Sequence, residues 1–245
     1  MKKTELNKNF LRFGYYASIV TAVLTILTFT IAILTPPLSG PFCTTGGFVY
    51  PFYDIAGRFP RDYYWMYPAM ILSAAFLVMI ICIYQTAKKD KKHFGLISVS
   101  FAIMATIVLI VDYFLQVSVI QPSILAGETD GVSILSQFNP HGVFIALEEI
   151  GFIFMNISLF ALIPVFPERN IYQKAVRWVS FIGFVLIIIS FTLISLIFGI
   201  NREYRFEVAA ISITWLELII LGLLYSRYFK KLIICPGGKS KSIIS

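Results

Sequence analysis

The chain has 245 residues, 58% hydrophobic and only 13% charged, with a formal net charge of +7. Soluble globular domains are typically about 45–50% apolar, so this composition argues against one. The apolar residues come in continuous runs rather than alternating, which also excludes a β-barrel.

Six such runs occupy about 13–35, 67–87, 95–120, 143–166, 178–199 and 206–226. Each approaches or exceeds the roughly 20 residues that cross a hydrocarbon core as helix. The expected fold is all-α: a polytopic integral membrane protein, a six-transmembrane-helix bundle forming a single membrane domain over 1–245, with a long outer loop at 36–66. Sixteen of the 20 Lys and Arg residues fall in alternate connections. These are Lys2, Lys3, Lys8 and Arg12; Lys88, Lys89, Lys91 and Lys92; Arg169, Lys174 and Arg177; and Arg227, Lys230, Lys231, Lys239 and Lys241. Positive loops stay cytoplasmic, so both termini are expected inside, N-in/C-in. The expected location is the cell (cytoplasmic) membrane of a prokaryote, with the bilayer itself and anionic lipid at the inner face as partners. Topology accounts for the basic residues, and no nucleic-acid partner is needed.

The first run continues uninterrupted from Phe13 to Pro36, longer than the roughly 7–15 residues of a signal-peptide core, and is expected to stay as an anchor. Ser18, Thr21, Thr25 and Thr28 share one of its faces, a pattern of helix packing with hydroxyls satisfied on their own backbone. The outer loop is broken by Pro36-Pro37, Gly40-Pro41 and Gly46-Gly47 and is rich in Phe, Tyr and Trp. Two readings are open: a loop at headgroup level, or a lid over an outward cavity, with Asp54, Arg58, Arg61, Asp62 and Trp65 as its contacts. The third run is too long for a bilayer core and must tilt or project outward. After an acidic loop with Glu128 and Asp130, Asn139 is expected to cap the fourth helix and Pro140 to open its first turn. Trp178 is placed to anchor the fifth run at the inner interface. Cys43, Cys82 and Cys235 fall in an outer loop, a span and the inner tail, so no disulfide is expected within the chain.

Chemistry is carried by carboxylates. Asp112, Glu148, Glu149 and Glu217 lie within spans, where ionisable groups are costly and usually face a cavity or a partner. Helical phase aligns them in three polar stripes: Asp112 with Gln116, Glu149 with His141 and Asn156, and Glu217 with Thr214 and Glu207. Glu148 lies about 100° around the helix from Glu149, so one can face a neighbour while the other faces the centre. The expected ligand-binding set is Asp112, Gln116, His141, Glu148, Glu149, Asn156, Thr214 and Glu217. No Lys or Arg lies within the spans to balance these acids. Either the carboxyls carry protons, or the outer arginines Arg58, Arg61, Arg202 and Arg205 dip inward to pair with them. The structural alternative is interhelical hydrogen bonding, worth about 0.6–2 kcal/mol per bond.

Several classes are excluded. A retinal protein needs a Lys within a span. Haem and three-histidine zinc sites need more than His93 and His141, so no cofactor or metal is expected. Membrane-embedded CAAX-type proteases carry Glu-Glu-x-x-x-Arg, whereas Glu148-Glu149 is followed by Ile153 at the arginine position. Gly237-Gly238-Lys239-Ser240 lacks the upstream glycine and the strand-to-helix context of a phosphate loop.

The six-span layout, the long loop after the first span and the Lys-rich turn before the third, with Gln137-Phe138-Asn139-Pro140-His141-Gly142 leading to Ala146-Leu147-Glu148-Glu149, resembles uncharacterised six-helix prokaryotic membrane proteins that share a domain of unknown function. The resemblance implies topology and no activity. The residues themselves favour an outward-facing acidic cavity that binds or transports a small cationic or proton-coupled ligand. Two alternatives stand: a membrane-embedded acid–base enzyme acting on a lipid or isoprenoid through Glu149 with His141 or Asp112, or a structural accessory subunit.

Overall fold

A helix satisfies its own backbone polar groups, and a chain this apolar has little else to satisfy them with. The computed structural model describes residues 7–35, 37–43, 46–167 and 170–234. Pro36, Lys2, Lys3, Arg169, Cys235, Lys239, Lys241 and the Gly237-to-Ser240 stretch lie outside them. The described residues are helical, without strands: α1 Lys8–Leu34, α2 Met66–Thr86, α3 Lys92–Leu115, α4 Gln121–Ala126, α5 Val132–Leu135, α6 Val143–Ala161, α7 Ile171–Phe198 and α8 Glu203–Ile234. A π-helical turn, Gln116–Ile120, joins α3 to α4 without a break. Six of the resulting helical segments are long and apolar enough to span a membrane.

Most helices begin earlier than the apolar runs, and α8 also runs on past its own to Ile234. Asn7 and Asn170 cap α1 and α7 by accepting the N–H groups of Asn9 and Gln173, so polar first turns join both helices. Trp178 is therefore two turns inside α7, still exposed on its surface. The expectation at Asn139 needs correcting. Helix α6 starts at Val143 with Gly142 at its cap, and the Asn139 side chain instead accepts the His141 N–H at 3.0 Å in a local turn. Pro140 precedes the helix rather than opening it.

The bundle closes as a ring in which α1 packs on α2 and α8, α3 on α2 and α6, and α7 on α8 and α6. Its tightest seam is α1 against α8. Ser18, Thr21, Thr25 and Thr28 are fully buried, each donating to the carbonyl four residues earlier at 2.7–2.9 Å. Their hydroxyls thus need no partner across the seam, and backbones can approach. At Gly222 a Cβ would lie 2.9 Å from both the Ala22 Cβ and the Ser18 carbonyl oxygen. Cys43 and Cys82 are not joined to each other.

One end of the ring carries the long connections and the other the lysine turn at 88–92. At the loop-rich end, two short 3-10 turns, Tyr53–Arg58 and Arg61–Tyr63, fold the 46–65 segment back over the helices. Ile55 and Tyr63 are fully buried there, and Phe52, Asp62 and Trp65 nearly so. Gln121 holds the segment by donating to the Ala56 carbonyl at 3.0 Å. Gln116, at the π turn, clips the next connection: its Nε2 donates to Leu135 O at 2.7 Å and its Oε1 accepts from Gln137 N at 3.0 Å.

Candidate functional site

Where α1 and α8 separate toward the loop-rich end, they leave a cavity of about 300 Å³. This lies at the small end of the roughly 300–1,000 Å³ typical of small-molecule pockets. Phe29, Ile33, Val208 and Trp215 of the two helices form part of its wall, Phe144 of α6 another, and Asp62 and Trp65 of the folded-back loop a third. Trp65 is the centre of an aromatic cluster, edge-on to Tyr113 at 5.2 Å, Trp215 at 6.4 Å and Phe144 at 6.5 Å between ring centres. Trp215 makes no hydrogen bond to Glu149 or Asp112; its contacts are rings, Phe29, Phe152 and Trp65.

Two carboxyls line this cavity, Asp62 and Glu207. They differ in how they are compensated. Asp62 is gripped by Arg58, Nε to Oδ2 at 2.7 Å and Nη2 to Oδ1 at 3.3 Å, a bidentate pair within one turn of loop. Among the described residues, Glu207 faces no cation. It is 7% exposed, and its carboxyl stands within electrostatic reach of that of Glu148 across the α6–α8 interface. Two carboxylates offer only acceptors, so a hydrogen bond between them needs a proton on one of the two. The fully buried Tyr113 hydroxyl donates to Glu148 Oε1 at 2.6 Å, and Asp112 sits within electrostatic reach of both glutamates. A chain of acids thus leads from the cavity wall into the bundle: Glu207, Glu148, then Asp112.

The other predicted residues separate from this group. Glu149 turns the other way around α6 and takes Arg202, Nη1 to Oε2 at 3.0 Å, so one outer arginine does reach inward. His141 is at the surface with Nδ1 3.4 Å from Glu203, lining a second cavity of about 330 Å³ with Tyr204 and Arg205 rather than standing beside Glu149. Asn156 donates to the Thr214 hydroxyl at 2.7 Å, an interhelical bond of the structural kind. Glu217 lies deeper on α8 beside Gly183 of α7, with no hydrogen bond to either oxygen. Gln116 is committed to its loop. Of the lid residues, Asp62 and Trp65 reach the cavity, Arg58 acts through Asp62, and Asp54 and Arg61 do not line it.

Asp112, Glu149, Asn156 and Glu217 do not line the cavity; Glu207 does, and helical phase alone had placed it only as the outer end of a stripe. Its signal was present in the sequence: an acid one turn inside an apolar helix, four residues after Glu203. Among the described residues, no three His, Cys, Asp or Glu residues come together as a metal site. No protein-family model, curated protein or solved structure matches the chain.

Proposed function

We propose that the chain is a multi-pass protein of the cytoplasmic membrane, with its loop-rich end outside, and that it binds a small organic cation in the cavity between α1 and α8 in exchange for a proton. The observation that carries this reading is Glu207. It lines a cavity with several aromatic rings, has no cationic partner among the described residues and stands beside a second carboxyl. A cation entering there displaces the proton shared by Glu207 and Glu148 and leaves the pair with the charge to hold it. Asp62 adds little net charge, because Arg58 already neutralises it. The rings of Trp65, Trp215 and Tyr204 favour an alkylammonium over a strongly hydrated metal ion, through their π faces and the ease of desolvating the ligand.

Several groups bear on the exchange. Asp112 and Tyr113 lie within electrostatic reach of the pair on α3, Glu149 on α6 and Tyr204 on α8 itself, and Asp62 with Arg58 shares the cavity from the loop. Arg202 is occupied by Glu149. The test is proton release: detergent-solubilised protein in weak buffer, titrated with butylammonium, with a pH dye as readout. Close to one proton should leave per cation bound, and affinity should rise with pH. Glu207→Gln should abolish both effects. Binding without proton release, or unchanged in Glu207→Gln, removes this reading.

A further inference from the structure

The cavity has a second property, its mouth. Helices α1 and α8 are neighbours in the ring, packed closely at Gly222, and toward the loop-rich end both line the cavity. Each of them lends the cavity lining an exposed apolar side chain, Ile33 and Val208, so the cavity reaches the lateral surface between them, the surface that would face lipid in a membrane. Its rim is apolar: Ile33 is 68% exposed and Val208 39%. Behind the rim, Glu207 is 7% and Asp62 2% exposed. An apolar doorway with a nearly buried carboxyl behind it suits a molecule that is itself divided. Resting on the cation-site reading above, we infer that the ligand is a single-chain amphipathic amine that enters from the bilayer, its ammonium seated at Glu207 and its alkyl chain passing out between Ile33 and Val208.

The chemistry follows from the two halves. A fully water-soluble cation gains nothing from an opening walled by Ile and Val and pays to leave water. An amine already partitioned into the bilayer gains contact along each methylene that stays in apolar surroundings. Its head is drawn to the single uncompensated acid in the wall and stacks among the aromatic rings behind the doorway. A neutral amphipath has no such anchor, and an anionic one is repelled by the acids.

The experiment uses the full chain in lipid nanodiscs, titrated calorimetrically with butylamine, dodecylamine and dodecanol, with empty nanodiscs subtracted. Dodecylamine should bind at least about tenfold tighter than butylamine after that correction, and dodecanol should not bind. Ile33→Trp and Val208→Trp place a large ring in the doorway at positions exposed enough to tolerate it. Each should weaken dodecylamine by about tenfold and butylamine by clearly less, so that the preference for the long chain falls. If both amines bind equally, depend on Glu207, and ignore the doorway variants, lateral entry is wrong and the cation site stands. If neither amine binds, or binding persists unchanged in Glu207→Gln, the cation site itself fails and the inference falls with it.

Discussion

At the scale of single residues, neighbouring glutamates have different fates because α6 turns about 100° per residue. Glu148 is carried to Tyr113 and Glu207, and Glu149 to Arg202. An acid held by a partly exposed arginine should behave as a structural pair. Arg202→Ala should cost about 1–3 kcal/mol, between the near-zero value of surface pairs and the several kcal/mol of buried ones. Glu149→Leu in the same chain should recover most of the loss, since no uncompensated carboxylate then remains. Denaturant melts of the two single variants and the double in detergent give the coupling. An additive double variant would mean that the pair holds no stability. Gln116 makes a different commitment, to two backbone groups of the next connection. Gln116→Ala should leave both unsatisfied and raise amide exchange across 132–138 while leaving the helix cores protected.

At the scale of elements, close approach is decided by what stands opposite each glycine. A methyl group at Gly222 meets the Ser18 carbonyl and Ala22 Cβ, fixed parts of α1. At Gly183 it meets the Glu217 carboxyl, the end of a flexible side chain. Gly222→Ala should thus be the more destabilising, by about 1–3 kcal/mol, as overpacking in a core usually is. Gly183→Ala should be milder, and Glu217→Ala in the same chain should relieve it. Thermal melts in detergent rank them; the reverse order would mean that α7 and α8, not α1 and α8, form the rigid seam. Such seams show why part of the fold was legible in the sequence. Six uninterrupted apolar runs admit little besides helices, and the hydroxyl stripe of α1 already marked a packing face. The helix ends were not legible from hydropathy, because turns such as 8–12 and 171–177 are polar yet helical. The site was legible only in part. Phase puts Glu148 near α3 or α8 but does not say which acid of a neighbouring helix stands at its height. The meeting with Glu207 depends on the relative depth of α6 and α8, and the place of Asp62 on how a 30-residue connection folds back.

At the scale of the whole molecule, the cavity means something only with an orientation, and that rests on charge. The lysine turn at 88–92 and the basic last turns of α8 lie at the end opposite the cavity, whereas the connection holding Glu128 and Asp130 has no Lys or Arg. In the orientation proposed above, the positive-inside rule would put the cavity mouth in the outer leaflet. Its ligand would come from outside, and the proton it displaces would leave by the same side. This is open to direct check in a chain whose own cysteines are replaced by serine. Glu128→Cys should react with a membrane-impermeant maleimide in intact cells, and Lys91→Cys only after permeabilisation. The opposite pattern would put Glu207 in the inner leaflet. Cation binding could survive that result, but the exchange would then draw its ligand from the cytoplasmic side, and the basic arms would no longer account for the topology. Equal labelling of both positions would mean that the chain inserts in two orientations, in which case no single direction of exchange belongs to it.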